Sequence, residues 1–202
     1  LETLKSAGIE KIMIITGTHH AGDIFSLLGS GKDFGVELTY RVQDEAGGIP
    51  SAISLAKNFI GEDKFISING DNIIFESLKP FADEFANGDE DARIMLYQGT
   101  REEAIKSGVA TVEGDKVVDL VEKPADPPSN LISIGIYMYT PGVFDIIKSL
   151  KPSARGETEI TEVNKEYIKK GTLKASQLTG KWLDAGDFDD LMHANTETQK
   201  LS

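Results

Sequence analysis

An apolar run, Phe65-Ile66-Ser67-Ile68, stops abruptly in Asn69-Gly70-Asp71-Asn72. Ligands of α/β sheets sit outside the carboxyl ends of the strands, so a buried run that ends in a carboxylate delivers charge to the ligand crevice. Asp71 is therefore the first candidate for chemistry, although an aspartate after a strand also serves simply to turn the chain. A second acidic strand end, Trp182-Leu183-Asp184-Ala185-Gly186, supplies a possible partner. Two such carboxylates, completed by oxygens from phosphate and water, make a good Mg²⁺ site.

Three further segments carry suitable groups. Gln43-Asp44-Glu45-Ala46-Gly47-Gly48-Ile49-Pro50 lies between a strand pattern and a helix pattern. Paired glycines let backbone approach a ligand closely, and a helix N-terminus attracts anions. The Gln43 carboxamide offers a donor and an acceptor in one plane, which complements the imide edge of thymine or uracil. Glu122-Lys123-Pro124 combines a point charge for phosphate with an acceptor for sugar hydroxyls. Arg155-Gly156-Glu157 pairs a guanidinium fork with a carboxylate. Taken singly, each segment also reads as a surface turn, a solvated ion pair or an acidic helix start. His19, His20 and His193 show no metal-ligand spacing with one another, and Trp182 reads as packing or as a pocket wall.

The elements that must position these groups follow from periodicity. Lys11 to Thr16 is a buried strand closed by Gly17, and Thr18 is placed to cap a helix carrying Ala21, Ile24, Phe25 and Leu28 on one face. Val36 to Val42 is a strand, followed by a helix with Pro50 in its first turn. The Phe65 strand completes a strand–helix–strand–helix–strand rhythm, the signature of a parallel sheet. After a helix over Ser77 to Phe85, closely spaced strands follow at Ala92–Gln98, Gly108–Val112, Lys116–Val121 and Leu131–Tyr139, with a Gly114-Asp115 hairpin turn. Helices from Thr140-Pro141 and over Thr158–Lys169, a strand at Leu173–Leu178 and a helix from Asp187 with Asp190 in a capping-box position complete the chain. The expected fold is α/β: one Rossmann-like domain over residues 1–202, with a mostly parallel sheet, helices on both faces and a mixed-strand half over one end.

The 202 residues suit one substantial domain. A net charge of −12 argues against nucleic acid or an anionic membrane as the main partner, but not against a phosphorylated substrate held by local cations. Cysteine is absent, which rules out disulfide and thiolate chemistry and fits a cytoplasmic setting. No apolar stretch approaches a membrane span, and since residue 1 already lies in helical-looking sequence the expectation is of no signal peptide before the domain.

The runs YRVQDEAGGIPSA, ISINGDN, SGVATVEGDKVVDLVEKP, SIGIYMY, RGETEITEVN and KWLDAGDF, in this order over nearly the whole chain, resemble the sugar-1-phosphate nucleotidylyltransferases, and most closely the short-type glucose-1-phosphate thymidylyltransferases. The resemblance implies transfer of a nucleotidyl group from dTTP or UTP to glucose 1-phosphate, with release of pyrophosphate. It implies Mg²⁺ held by Asp71 and Asp184, and pyrimidine reading by Gln43 and Gly48. The sugar would be lined by Gly108, Glu122, Lys123, Gly135 and Glu157. Lys123 and Arg155 would neutralise phosphate as members of the catalytic set with the two aspartates. It further implies a homo-oligomer in the cytoplasm, with no nucleic-acid or membrane partner.

Some positions depart from the family pattern. Gly47, Ser107, Pro50 and Asp187 stand where other residue types are commoner, which bears on base and sugar preference more than on reaction class. The family's first strand, its glycine-rich G-G-x-G-T-R-L loop and the lysine-proline segment after it have no counterpart in the sequence. The lost strand is normally central, so the Lys11 and Phe65 strands would lack their common neighbour, at about 1–3 kcal/mol for each buried backbone group left unpaired. The expectation is that the sequence is a piece of a longer protein or that something fills the gap, and that activity without that segment is low. Two alternatives remain open: a catalytically impaired regulatory or nucleotide-sugar-binding homologue of the same fold, and a glycosyltransferase. Glycosyltransferases of this fold usually carry two aspartates one residue apart, and Asp71-Asn72 does not match that.

Overall fold

The computed structural model describes residues 1–153, 156–186, 191–192 and 194–196. In chain order, α1 (Glu2–Ser6) leads to β1 (Lys11–Gly17), α2 (Ala21–Leu28), β2 (Glu37–Gln43), α3 (Gly48–Leu55), α4 (Lys57–Ile60), β3 (Phe65–Ile68) and β4 (Asn72–Ile74). There follow α5 (Lys79–Asn87), β5 (Ala92–Gln98), α6 (Arg101–Lys106), β6 (Gly108–Glu113), β7 (Lys116–Glu122), β8 (Leu131–Tyr139), α7 (Val143–Ser149), α8 (Ile160–Lys170), β9 (Leu173–Leu178) and β10 (Trp182–Asp184). Among the described residues no helix is long and apolar enough to cross a membrane.

The main sheet runs β3-β8-β5-β9-β7-β6. Its strands β5 and β8 are apolar almost throughout because both faces are covered. Successive side chains alternate between the faces. Ile132, Ile134, Ile136 and Met138 of β8 pack on one side with Phe85 of α5 and Ala104 of α6. Tyr137 and Tyr139 pack on the other with Ile53 of α3, Val143 and Ile147 of α7, and Val163 and Tyr167 of α8. The α/β class with helices on both faces is therefore as expected.

The strand directions correct one part of that expectation. The parallel pairs are β1–β2 and β5–β9, whereas β8 runs antiparallel between β3 and β5, and β6–β7 is an antiparallel hairpin. The long β8 enters antiparallel between β3 and β5, so the sheet is mixed rather than mostly parallel. Other differences are local. Thr18 does not cap α2: His20 occupies the N-cap and no side chain caps the helix there. Helix α6 replaces a loop, stabilised by a reciprocal capping box between Thr100 and Glu103. The expected Asp187–Asp190 cap lies outside the described residues.

β1 and β3 do not pair with each other among the described residues. Between them lies a slot of about 710 Å³, lined by Ile12, Met13 and Ile15 of β1 and by Phe65 to Ile68 of β3. Leu4, Ile53, Phe59 and Phe85 also line it.

Candidate functional site

The turn after β3 is tied to β8. The Asn69 backbone N–H donates to the Gly135 carbonyl at 2.8 Å, and the Asn72 N–H to the Asn69 carbonyl at 3.2 Å. Gly135 is required here by close approach: a Cβ on it would lie 2.4 Å from Asn69 Nδ2 and 2.7 Å from Asn72 Nδ2. Asn72 is the brace of the turn. Its Nδ2 donates to Asp71 Oδ1 at 2.8 Å, and its Oδ1 accepts from Trp182 Nε1 at 2.7 Å.

β4 and β10 pair antiparallel with Asn72 opposite Asp184, and the Ala185 N–H donates to the Asp71 carbonyl at 2.8 Å. This register brings two carboxylates distant in sequence to one place. A Cβ on Gly186 would lie 3.0 Å from Asp184 Oδ1 and 3.8 Å from Asp71 Oδ2, so both side chains border the same small space.

Asp71 and Asp184 open onto a cleft of about 310 Å³ that Gly48, Gly108, Glu122, Lys123, Gly135 and Glu157 also line. Eight of the residues picked out in the sequence thus share one concavity. Glu122 ends β7 opposite Gly108, and a Cβ there would sit in ordinary contact, 3.4 Å, with Glu122 Oε2. Thr161 Oγ1 of α8 donates to Glu122 Oε2 at 2.7 Å and fixes its direction. Gly48 has φ +81°, and a Cβ on it would meet the Thr158 carbonyl oxygen at 2.4 Å. The Thr158 N–H donates to the Gly47 carbonyl at 3.2 Å, which docks the start of α3 on the segment carrying Glu157.

Lys123 has φ +44°, and no other described non-glycine residue has positive φ. Its N–H donates to the Ser107 carbonyl at 3.0 Å, and its Nζ lies 4.0 Å from Glu122 Oε1. A left-handed backbone at a bulky residue costs about 1–2 kcal/mol and concentrates at functional positions.

Two expected members stand apart. Gln43 ends β2 opposite Gly17 and is not part of the cleft wall, although its Nε2 is buried without a hydrogen-bond partner among the described residues. Arg155 lies outside the described residues. Sequence reasoning missed Asn72 and Thr161 as the groups that orient Asp71 and Glu122. The signal for Thr161 was a polar residue on the inward, apolar side of a helix.

The electrostatics are lopsided. Asp71, Glu122, Glu157, Glu159 and Asp184 line the cleft, against Lys123 as the one described cation. Burial pushes the Tyr137 phenol well above its ordinary range, and the charges of Glu122 and Asp71 add to this, so Tyr137 stays a neutral donor. Phosphates enter so acidic a cleft only with added positive charge. Among the described residues there is no cluster of three or more His, Cys, Asp or Glu ligands. Two carboxylates are nonetheless a suitable donor set for Mg²⁺, which keeps several waters and takes its remaining oxygens from substrate phosphates.

A model of the nucleotidyl transferase family matches residues 1–200. The low-salt glycan biosynthesis nucleotidyltransferase Agl11 of Haloferax volcanii is 40% identical over 197 residues, covering 96% of this chain and 55% of that protein. A glucose-1-phosphate thymidylyltransferase of Mycolicibacterium smegmatis is 40% identical over 203 residues, covering 96% of this chain and 68% of the relative. The chain thus spans about half to two thirds of the length of these relatives. A crystal structure described as a glucose-1-phosphate thymidylyltransferase from Bacillus anthracis in complex with a sucrose superimposes with TM-score 0.90 at 45% identity, covering 97% of this chain and 79% of that one. A UDP-glucose pyrophosphorylase complexed with UDP-glucose superimposes with TM-score 0.85 at 26% identity, covering 100% and 85%.

Proposed function

The chain belongs to the nucleotidyl transferase family, and from that premise we propose that it transfers a nucleotidyl group from dTTP or UTP to glucose 1-phosphate, giving dTDP-glucose or UDP-glucose and pyrophosphate. The observation that carries the reading is the meeting of Asp71 and Asp184 across β4 and β10, at a cleft that also holds Glu122 and Lys123.

In this reading a phosphate oxygen of the sugar 1-phosphate attacks the α-phosphorus in line. The new O–P bond forms as the bond to the pyrophosphate oxygen breaks, and pyrophosphate leaves with that electron pair. Such a transfer asks for positioning and charge neutralisation more than for proton transfer. Mg²⁺ held by Asp71 and Asp184 would supply neutralising charge. Lys123, with Arg155, holds the sugar phosphate. Glu122 and Glu157 accept from sugar hydroxyls, Gly108 and Gly135 keep the sugar's space open, and Gln43 and Gly48 hold the pyrimidine edge. A further β-strand between β1 and β3 would complete the sheet, which the apolar slot supports. The setting we propose is cytoplasmic and the assembly a homo-oligomer, without nucleic acid or membrane.

Asp71→Asn tests the reading. It should abolish turnover and leave the melting temperature within a few degrees; full activity refutes the role of Asp71. The second reading, a nucleotide-sugar-binding homologue without turnover, is favoured by one observation only, the slot left beside β1.

A further inference from the structure

Among the buried polar groups that line the cleft, Ser133, Tyr137 and Asn164 have no part in the proposed mechanism, and Asn164 is the one on the helix that also holds Glu122. Asn164 lies on α8 one turn after Thr161, is fully buried, and lines the same cleft as Glu122. Tyr139 Oη donates to Asn164 Oδ1 at 2.7 Å. The opposite end of that amide, Nδ2, has no hydrogen-bond partner among the described residues. Asparagine is a poor residue for a helix interior, and a buried donor left unmade is expensive. An acceptor arriving through the cleft would satisfy it.

The chemistry of the surroundings selects that acceptor. Nδ2 only donates, so the incoming atom is an oxygen with a free lone pair. The neighbouring Glu122 carboxylate, held by Thr161, repels phosphate and favours a neutral group with a proton to give. A sugar hydroxyl is both acceptor and donor. We propose that Asn164 is a specificity-determining residue that donates from Nδ2 to one ring hydroxyl of the hexose. This deepens, and rests on, the sugar-phosphate reading of the cleft.

The test uses the full-length protein and five ligands: dTDP-glucose and its 2-, 3-, 4- and 6-deoxy counterparts. Binding is measured by calorimetry for the wild type, for Tyr139→Phe, and for the double variant Tyr139→Phe/Asn164→Leu, which removes both polar partners together and so avoids stranding the tyrosine. The deoxy ligand that lacks Asn164's partner should bind the wild type about 10- to 100-fold more weakly than dTDP-glucose, because it leaves Nδ2 unpaired, whereas ligands lacking a hydroxyl held by Glu122 or Glu157 should weaken alike in all three proteins. Tyr139→Phe should keep this discrimination. The double variant should lose it for that one ligand and keep the other ratios. A merely structural Asn164 predicts the same ratios in all three proteins, and that result overturns the proposal. Failure of the wild type to bind any of the five overturns the sugar-phosphate reading and Asn164's role with it. If the double variant does not fold, the Asn164 side-chain amide signals in the wild-type NMR spectrum decide: they should shift with dTDP-glucose and not with the one discriminated deoxy ligand, and equal shifts with all five refute the assignment.

Discussion

Gly135→Ala is the sharpest probe of how the Asp71 turn is held. The added Cβ would stand 2.7 Å from Asn72 Nδ2 and 2.4 Å from Asn69 Nδ2, whereas ordinary contact begins near 3.4 Å. The Asn69 amide is free to swing aside, since none of the hydrogen bonds described here engages its side chain. Asn72 is not, because its two ends are committed to Asp71 at 2.8 Å and Trp182 at 2.7 Å. A retreat of about 0.7 Å stretches both bonds beyond useful length. The bond to the carboxylate is charge-assisted and worth about 1.5–3 kcal/mol, and the bond from Trp182 about 1 kcal/mol. The expected loss is therefore about 2–4 kcal/mol in stability, or a melting point lower by roughly 5–15 °C for a chain of this size. Loss of the group that orients a metal carboxylate costs about 10–100-fold in metal affinity. The assay is a Mg²⁺ titration of initial rate beside a thermal melt, with Gly70→Ala as control. Gly70 adjoins Asp71 in sequence, yet a Cβ there meets nothing within 4 Å, so it should change neither. A Gly135→Ala protein with the wild-type melt and Mg²⁺ dependence would refute the bracing argument.

Three further outcomes are expected. Lys123→Gly should relieve the left-handed backbone and leave stability unchanged or raised by up to about 1 kcal/mol in urea unfolding, while turnover falls by at least 10-fold. Thr161→Val keeps the shape of the side chain but removes the 2.7 Å bond to Glu122, so kcat/KM for glucose 1-phosphate should fall about 10-fold with little change in KM for the triphosphate. Outside the cleft lining, Arg93→Met should cost about 3 kcal/mol by leaving the buried Glu90 with Lys174 Nζ at 3.8 Å as its remaining cation, and Glu90→Gln in the same chain should restore much of it, as read by chemical denaturation.

Much of this arrangement was legible in the sequence because it is local. Phe65 to Ile68 reads as a buried strand and Asp71 as its acidic end from the residues alone, and the Gly114 hairpin follows from its turn. Pairing partners are not local. Nothing in Leu131–Tyr139 states that it runs antiparallel between β3 and β5, so the strand–helix rhythm suggested a more parallel sheet than the one that forms. The same limit applies inside the site. The roles of Asn72 and Thr161 depend on partners 110 and 39 residues away, Trp182 and Glu122, and only the fold brings them together. Helix α6 was legible in principle: Thr100 and Glu103 form the capping pattern, but the strands on either side masked a helix of six residues.

The central claim is that the carboxylates of β3–β4 and β10 serve nucleotidyl transfer to a sugar phosphate. The direct measurement is pyrophosphate release by the full-length protein given Mg²⁺, glucose 1-phosphate and, in turn, dTTP, UTP, ATP, CTP and GTP. Release is expected with dTTP or UTP, dependent on glucose 1-phosphate and on Mg²⁺, and lost in Asp71→Asn. No release with any of the five triphosphates, or release undiminished in Asp71→Asn, would contradict it.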